Sequence, residues 1–169
     1  MERFFILAPV FLLLLGSTPV EATTFFSPRK TSSTQEIGER LAAGSDTIVT
    51  GKVLRITGEF REPPDWFPDG MPLIVSSVEI EVRQSFKGER KKVLTVNVPG
   101  GCVAETGECL NIGLYPTFQS DENVLLFLER RGDSYSLKDP SQGKQSSTSD
   151  KIRLLKETIS ALENEGRLR

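Results

Sequence analysis

Histidine is absent from this 169-residue chain, and no other absence excludes as much chemistry. Imidazole is the usual proton shuttle near neutral pH and the commonest metal ligand. Without it there is no Ser-His-Asp or Cys-His catalysis and no zinc site that needs imidazole. Cysteine is nearly absent too. Cys102 and Cys109 are the only two, too few for a four-thiolate zinc site. Charge of one sign is also missing: 21 Lys and Arg balance 23 Asp and Glu, for a formal net charge of −2. No global field therefore draws in nucleic acid or an anionic membrane. Carboxylate-only or Ser-Lys chemistry stays formally open, but no residue cluster points to either. No internal repeat is visible.

The chain has one long apolar run, Phe4 to Leu15. It is shorter than the roughly 20 residues needed to cross a bilayer. Met1-Glu2-Arg3 precedes it and Gly16-Ser17-Thr18-Pro19-Val20-Glu21-Ala22 follows, with small residues Val20 and Ala22 at the −3 and −1 positions of a cleavage site. This is the pattern of a secretory signal peptide over residues 1–22. It predicts a mature chain from about Thr23, secreted or periplasmic and with no membrane span. Roughly 150 residues remain, enough for one domain with its own core.

Two cysteines in an exported chain predict a Cys102–Cys109 disulfide. Closing a loop of about eight residues would stabilise by roughly 2.5 kcal/mol on the chain-entropy account. A redox pair fits less well, because C-x-x-C spacing and a helix N-terminus to acidify a thiol are both missing.

Residues 23–33 are polar and read as a flexible lead-in. Ser33-x-x-Glu36 forms a capping box, and Ile37, Leu41 and Ala42 share a helical face before Gly44 supplies a terminator. Residues 46–57 are rich in β-branched side chains and read as a strand with a bulge at Gly51. Residues 62–72 hold four prolines and read as a loop. In residues 74–86, Val78, Ile80 and Val82 alternate with Glu79, Glu81 and Arg83, the period of a strand with one wet face. Lys87-Gly88-Glu89 turns the chain, and Leu94, Val96 and Val98 mark the next strand. Pro99-Gly100-Gly101 breaks it, and the Cys102–Cys109 segment reads as a stapled hairpin or tight loop. Residues 124–128 are continuously apolar, as in a strand buried on both faces. Arg131-Gly132-Asp133-Ser134 is a turn, Tyr135 to Leu137 pairs back, and residues 138–149 read as a polar linker. Asp150 is placed as the cap of a last helix in which Ile152, Leu155, Ile159 and Leu162 form one stripe and Gly166 ends the run.

These elements predict a mainly β fold: a small five-stranded OB-like barrel over residues 34–145, with a short N-terminal helix and a C-terminal amphipathic helix over residues 150–166. An open β-sandwich is the rival architecture.

The succession Val49-x-Gly51-x-Val53, Ile80-x-Val82-x-x-Ser85-Phe86-Lys87-Gly88, Val96-x-Val98-Pro99-Gly100-Gly101, Asn123-Val124-Leu125-Leu126-Phe127-Leu128 and Gln142-Gly143-Lys144 resembles a group of exported bacterial proteins of unassigned function. Their fold is similar to the OB barrel of tissue inhibitors of metalloproteases. The resemblance covers about residues 46–145 and implies the fold. Those inhibitors use an N-terminal cysteine on the protease zinc, whereas this mature chain would start near Thr23, so inhibition by that route is not implied. Members of the bacterial group more often end at the Gln-Gly-Lys strand, which makes the helix after Asp150 an addition.

Among candidate sites, residues 63–70 stand out. Prolines there reduce ordering entropy, and Trp66, the only tryptophan, offers a rigid contact beside Asp65, Phe67 and Asp69. The rival reading folds Trp66 and Phe67 back over one end of the barrel. Asp65 and Asp69 lack the dense acidic loop of a calcium site, so neither metal nor cofactor is expected. The basic run Lys87 to Lys92 has no interleaved aromatics for base stacking and is interrupted by Glu89; it reads as a solvated turn. Tyr115, Phe118 and Phe127 fit core positions better than a pocket. The expectation is a non-enzymatic exported binding module, contacting a protein or envelope component through residues 63–70 and the rim of the Cys102–Cys109 link. A protease inhibitor acting by loop insertion and an enzyme without histidine chemistry are the alternatives.

Overall fold

A computed structural model describes residues 34–63 and 72–168. The expected signal segment and lead-in, and most of the 63–70 loop, lie outside the described residues.

Helix α1 (Thr34–Gly44) leads into β1 (Thr47–Arg61), β2 (Leu73–Lys87) and β3 (Val93–Pro99). Two short strands follow, β4 (Gly101–Cys102) and β5 (Cys109–Leu110), then β6 (Asn123–Arg131), β7 (Ser134–Leu137), β8 (Lys144–Ser146) and helix α2 (Ser149–Asn164). β1 pairs antiparallel with both β2 and β6, β2 with β3, and β6 with β7, while β3 and β7 meet in parallel at Val96 and Tyr135. The ring β1-β2-β3-β7-β6 is therefore closed, as expected for an OB-like barrel, and the open sandwich is excluded. Closure demands curvature, which bulges in β1 supply. The ladder with β2 slips at three places, one of them between Thr50 and Gly51. A side chain at Gly51 would meet the Glu81 carbonyl and Ile80 at 2.5 Å, so only glycine fits the expected bulge.

β6 explains why its apolar run is unbroken. Val124, Leu126 and Leu128 point into the barrel with Val49, Val53, Val78, Ile80 and Val96. Leu125 and Phe127 point out, into a second core with Ile48, Leu41 and Ala42 of α1, and Leu155, Ile159 and Leu162 of α2. The C-terminal helix thus docks on the barrel through Leu155, Ile159 and Leu162 of the stripe read from its sequence, while Ile152 stays half-buried outside this core. Its cap differs from the expectation. Thr148 takes the extended N-cap backbone, and Asp150 sits in the first turn. The other end is as read: Gly166, at φ 65°, donates to the Glu163 carbonyl and Arg167 to the Leu162 carbonyl, a Schellman closure.

Helix α1 is tied down at its C-terminal end. The Lys87 ammonium donates to the Ala42 and Ala43 carbonyls, each at 3.1 Å, at the negative end of the helix dipole. Burial lowers the Lys87 pKa, and Asp46 partly offsets that effect.

Residues 138–149 are not the plain linker read from sequence. Asp139 organises a turn that feeds β8 back onto β6. Its Oδ1 accepts from the Ser141 N–H, the Ser141 hydroxyl and the Gln142 N–H at 2.9–3.0 Å, and its Oδ2 from Arg40 at 3.2 Å. Polar composition hid a strand here because the order comes from one carboxylate and not from apolar alternation.

Two predictions follow from these contacts. Ile159→Ala empties a position that is 7% exposed and should cost about 2–4 kcal/mol in urea unfolding; a loss under about 0.5 kcal/mol would mean that α2 is not docked. Burial alone would raise the Asp139 pKa, but the bonds from Ser141, Gln142 and Arg40 outweigh it and hold the carboxyl below its ordinary value. Its contribution is therefore complete above the unfolded value of about 3.9 and lost as pH falls through the lower folded value. Asp139→Asn should cost about 1 kcal/mol at neutral pH, with wild-type and variant stabilities converging below about pH 4.

Candidate functional site

The segment between β3 and β6 builds a groove at one opening of the barrel. Proline lacks a ladder donor, so β3 ends at Pro99. Gly100 and Gly101 then turn the chain with φ values of 99° and 117°, a region closed to most L-residues. The Gly100 N–H donates to the Ile74 carbonyl and the Ser76 hydroxyl donates to the Gly100 carbonyl, both at 2.7 Å. A side chain on Gly101 would collide with the Ser76 hydroxyl.

From this joint runs the β4–β5 ribbon, where Gly101 pairs with Leu110 and Cys102 with Cys109. The two cysteines form the expected disulfide, their Cα atoms 4.0 Å apart. The ribbon packs down onto β1 so closely that a side chain on Gly58 would collide with the Cys102 carbonyl. Val103, buried in the ribbon's loop, pairs with Glu108 through its N–H and with Gly107 through its carbonyl, both at 2.8 Å.

The chain then returns through residues 111–118 to form the facing wall. Tyr115 donates its N–H to the Ile112 carbonyl at 2.9 Å. Lys144 of β8 fixes the end of the wall. Its ammonium donates to the Thr117 carbonyl at 2.6 Å, lies 4.6 Å from the centre of the Phe118 ring and pairs with Glu122 at 2.8 Å. With 13% of its side chain exposed, Lys144 serves as a structural strut.

Between ribbon and wall lies a cavity of about 300 Å³, at the lower end of the range for ligand sites. Ile56, Val98, Leu110, Ile112, Tyr115 and Phe118 supply its apolar surface, and the backbone of residues 100–102 crosses it. Among the described residues of its lining, Tyr115 carries the only ionisable side chain. Its lining can enclose an apolar side chain. A second hollow, between α1, α2 and β6, holds about 80 Å³ and is too small for a comparable ligand. No family model matches the chain, and no curated protein matches it.

Of the residues singled out in the sequence, Cys102 and Cys109 stand at this groove. Asp65, Trp66, Phe67 and Asp69 lie outside the described residues. Tyr115 and Phe118 both pack against the barrel core and line the groove, which corrects their reading as core alone. Phe127 belongs to the second core. Leu110 and Ile112 were not legible as site residues, since their exposure depends on the ribbon. Gly58 falls just past the strand read over residues 46–57, which in the structure runs on to Arg61, so its close approach to the ribbon was not read from the sequence. The basic run is engaged locally: Lys87 caps α1, Lys91 sits 5.4 Å from the Tyr135 ring, and Glu89 bonds Arg130 at 2.8 Å. That bond to Arg130 holds the Glu89 carboxyl below its ordinary value.

The glycine joint gives a direct check. Gly101→Ala combines forbidden backbone with a collision and should cost about 2–3 kcal/mol in chemical denaturation. Gly113→Ala, with open space around the new methyl, should change stability by under about 0.5 kcal/mol.

Proposed function

We propose that this protein is an exported, non-enzymatic binding module whose contact surface is the groove beside the Cys102–Cys109 ribbon. Export rests on the apolar segment with its small-residue cleavage pattern, and is compatible with the disulfide. Among the described residues, no helix is long and apolar enough to cross a membrane. One observation carries the binding reading: the cavity beside the ribbon is lined mainly by apolar side chains and by backbone, with Tyr115 as the ionisable group among the described residues of its lining. Such a lining suits a short extended peptide of a partner protein, with one apolar side chain seated in the cavity.

Binding through this groove is tested by NMR titration with a library of extended peptides bearing a single Leu, Ile, Phe or Trp. The expected result is shifts confined to Ile56, Leu110, Ile112, Tyr115 and Phe118. Ile112→Asp should lower affinity at least tenfold, on the order of the cost of burying an unpaired charge, with little change in melting temperature. A library that leaves these five residues unmoved would reject the proposal.

A further inference from the structure

β1 is used unequally along its length. Its pairing with β6 ends at Lys52. Val53 is met by the loop before β6, donating to the Glu122 carbonyl and accepting from the Asp121 N–H, both at 2.9 Å. From residue 54 to residue 61, β1 pairs only with β2 among the described residues. The other edge of that stretch presents backbone N–H and C=O groups without a partner in those residues. Proteins usually blunt such edges with proline, lysine or very short strands. Here the stretch reads Leu-Arg-Ile-Thr-Gly-Glu-Phe-Arg, without either residue, and Leu54 and Phe60 are 46% and 43% exposed.

The edge is complementary to itself. Two copies meeting antiparallel about a two-fold axis at Thr57 set Arg55 opposite the partner's Glu59, and Glu59 opposite the partner's Arg55. Leu54 and the partner's Phe60 come together at each end. The Arg55 and Glu59 side chains are 67% and 46% exposed, and each sits in a solvent-facing ion pair within its own chain, Arg55 with Glu79 and Glu59 with Arg61, which the antiparallel joint exchanges for pairs across it. Backbone groups turned to one edge recur at every second residue, so allowed registers differ by one step of the axis. An axis at Gly58 would oppose Arg55 to the partner's Arg61, and an axis at Ile56 would set Glu59 against the partner's Val53. Only the axis at Thr57 makes both ion pairs.

We propose that the free edge of β1, residues 54–61, is a homodimerisation surface joining two copies of this chain antiparallel about Thr57. Ile56 belongs both to this edge and to the groove wall, so the pairing brings two grooves to either side of one joint.

Sedimentation velocity on the oxidised protein over a range of concentrations tests the assembly directly. The expected result is a concentration-dependent monomer–dimer equilibrium. Glu59→Arg alone and Arg55→Glu alone each place like charges opposite one another twice, and each should weaken dimerisation at least about tenfold. An equimolar mixture of the two variants should dimerise again, because each chain complements only the other. The double variant should dimerise by itself. Near-UV circular dichroism establishes that each variant is folded, and the double variant carries the test if a single one is not. A wild-type chain that stays monomeric, a dimer indifferent to both reversals, or a loss that neither mixing nor the double variant restores would each overturn the proposal.

Discussion

Everything in this molecule hangs on one strand being apolar on both sides. The barrel core needs Val124, Leu126 and Leu128, and the helices need Leu125 and Phe127. Burial of all five is nearly complete. At roughly 1.5–3 kcal/mol for a fully buried aliphatic or aromatic side chain, this strand alone outweighs any ion pair on the surface. It also makes α2 part of the fold. Without that helix the outer face of β6 would present Leu125 and Phe127 to water, the kind of apolar patch that promotes association.

How much of this was legible follows from the same strand. An apolar run too short for a helix announces a strand covered on both faces, and the stripe on residues 152–162 announces something to cover it with. Alternation in β2 and β3 and the bulge glycine in β1 were equally plain, because period-2 patterning and glycine's small volume leave traces in a linear sequence. What the sequence hid depends on long-range approach. The Asp139 turn is polar from end to end, and a carboxylate that gathers four donors looks in sequence like any surface aspartate. The groove is hidden for a similar reason. Leu110, Ile112 and Tyr115 acquire meaning only once the disulfide and the Gly100–Gly101 joint fold the ribbon down onto Gly58.

The groove's lining and its supports are chemically distinct. Apolar side chains and the ribbon backbone face the cavity, while the charged residues Lys144 and Glu122 stand behind it and fix the wall. Rigidity of this kind lowers the ordering cost of binding. The disulfide acts in the same sense, since it holds the ribbon that carries one wall.

The two-faced strand also makes the helices depend on the closed ring. The sheet side of the second core consists of Ile48 from β1 and Leu125 and Phe127 from β6, residues brought together only when those strands pair. Val49 and Leu126 are partners in that pairing despite their distance in sequence, so closing the ring carries a long-range loop-ordering cost. The helices have no surface to settle on until it is complete. Both helices are therefore held by a surface that no single strand provides, and their docking rests on the β1–β6 seam.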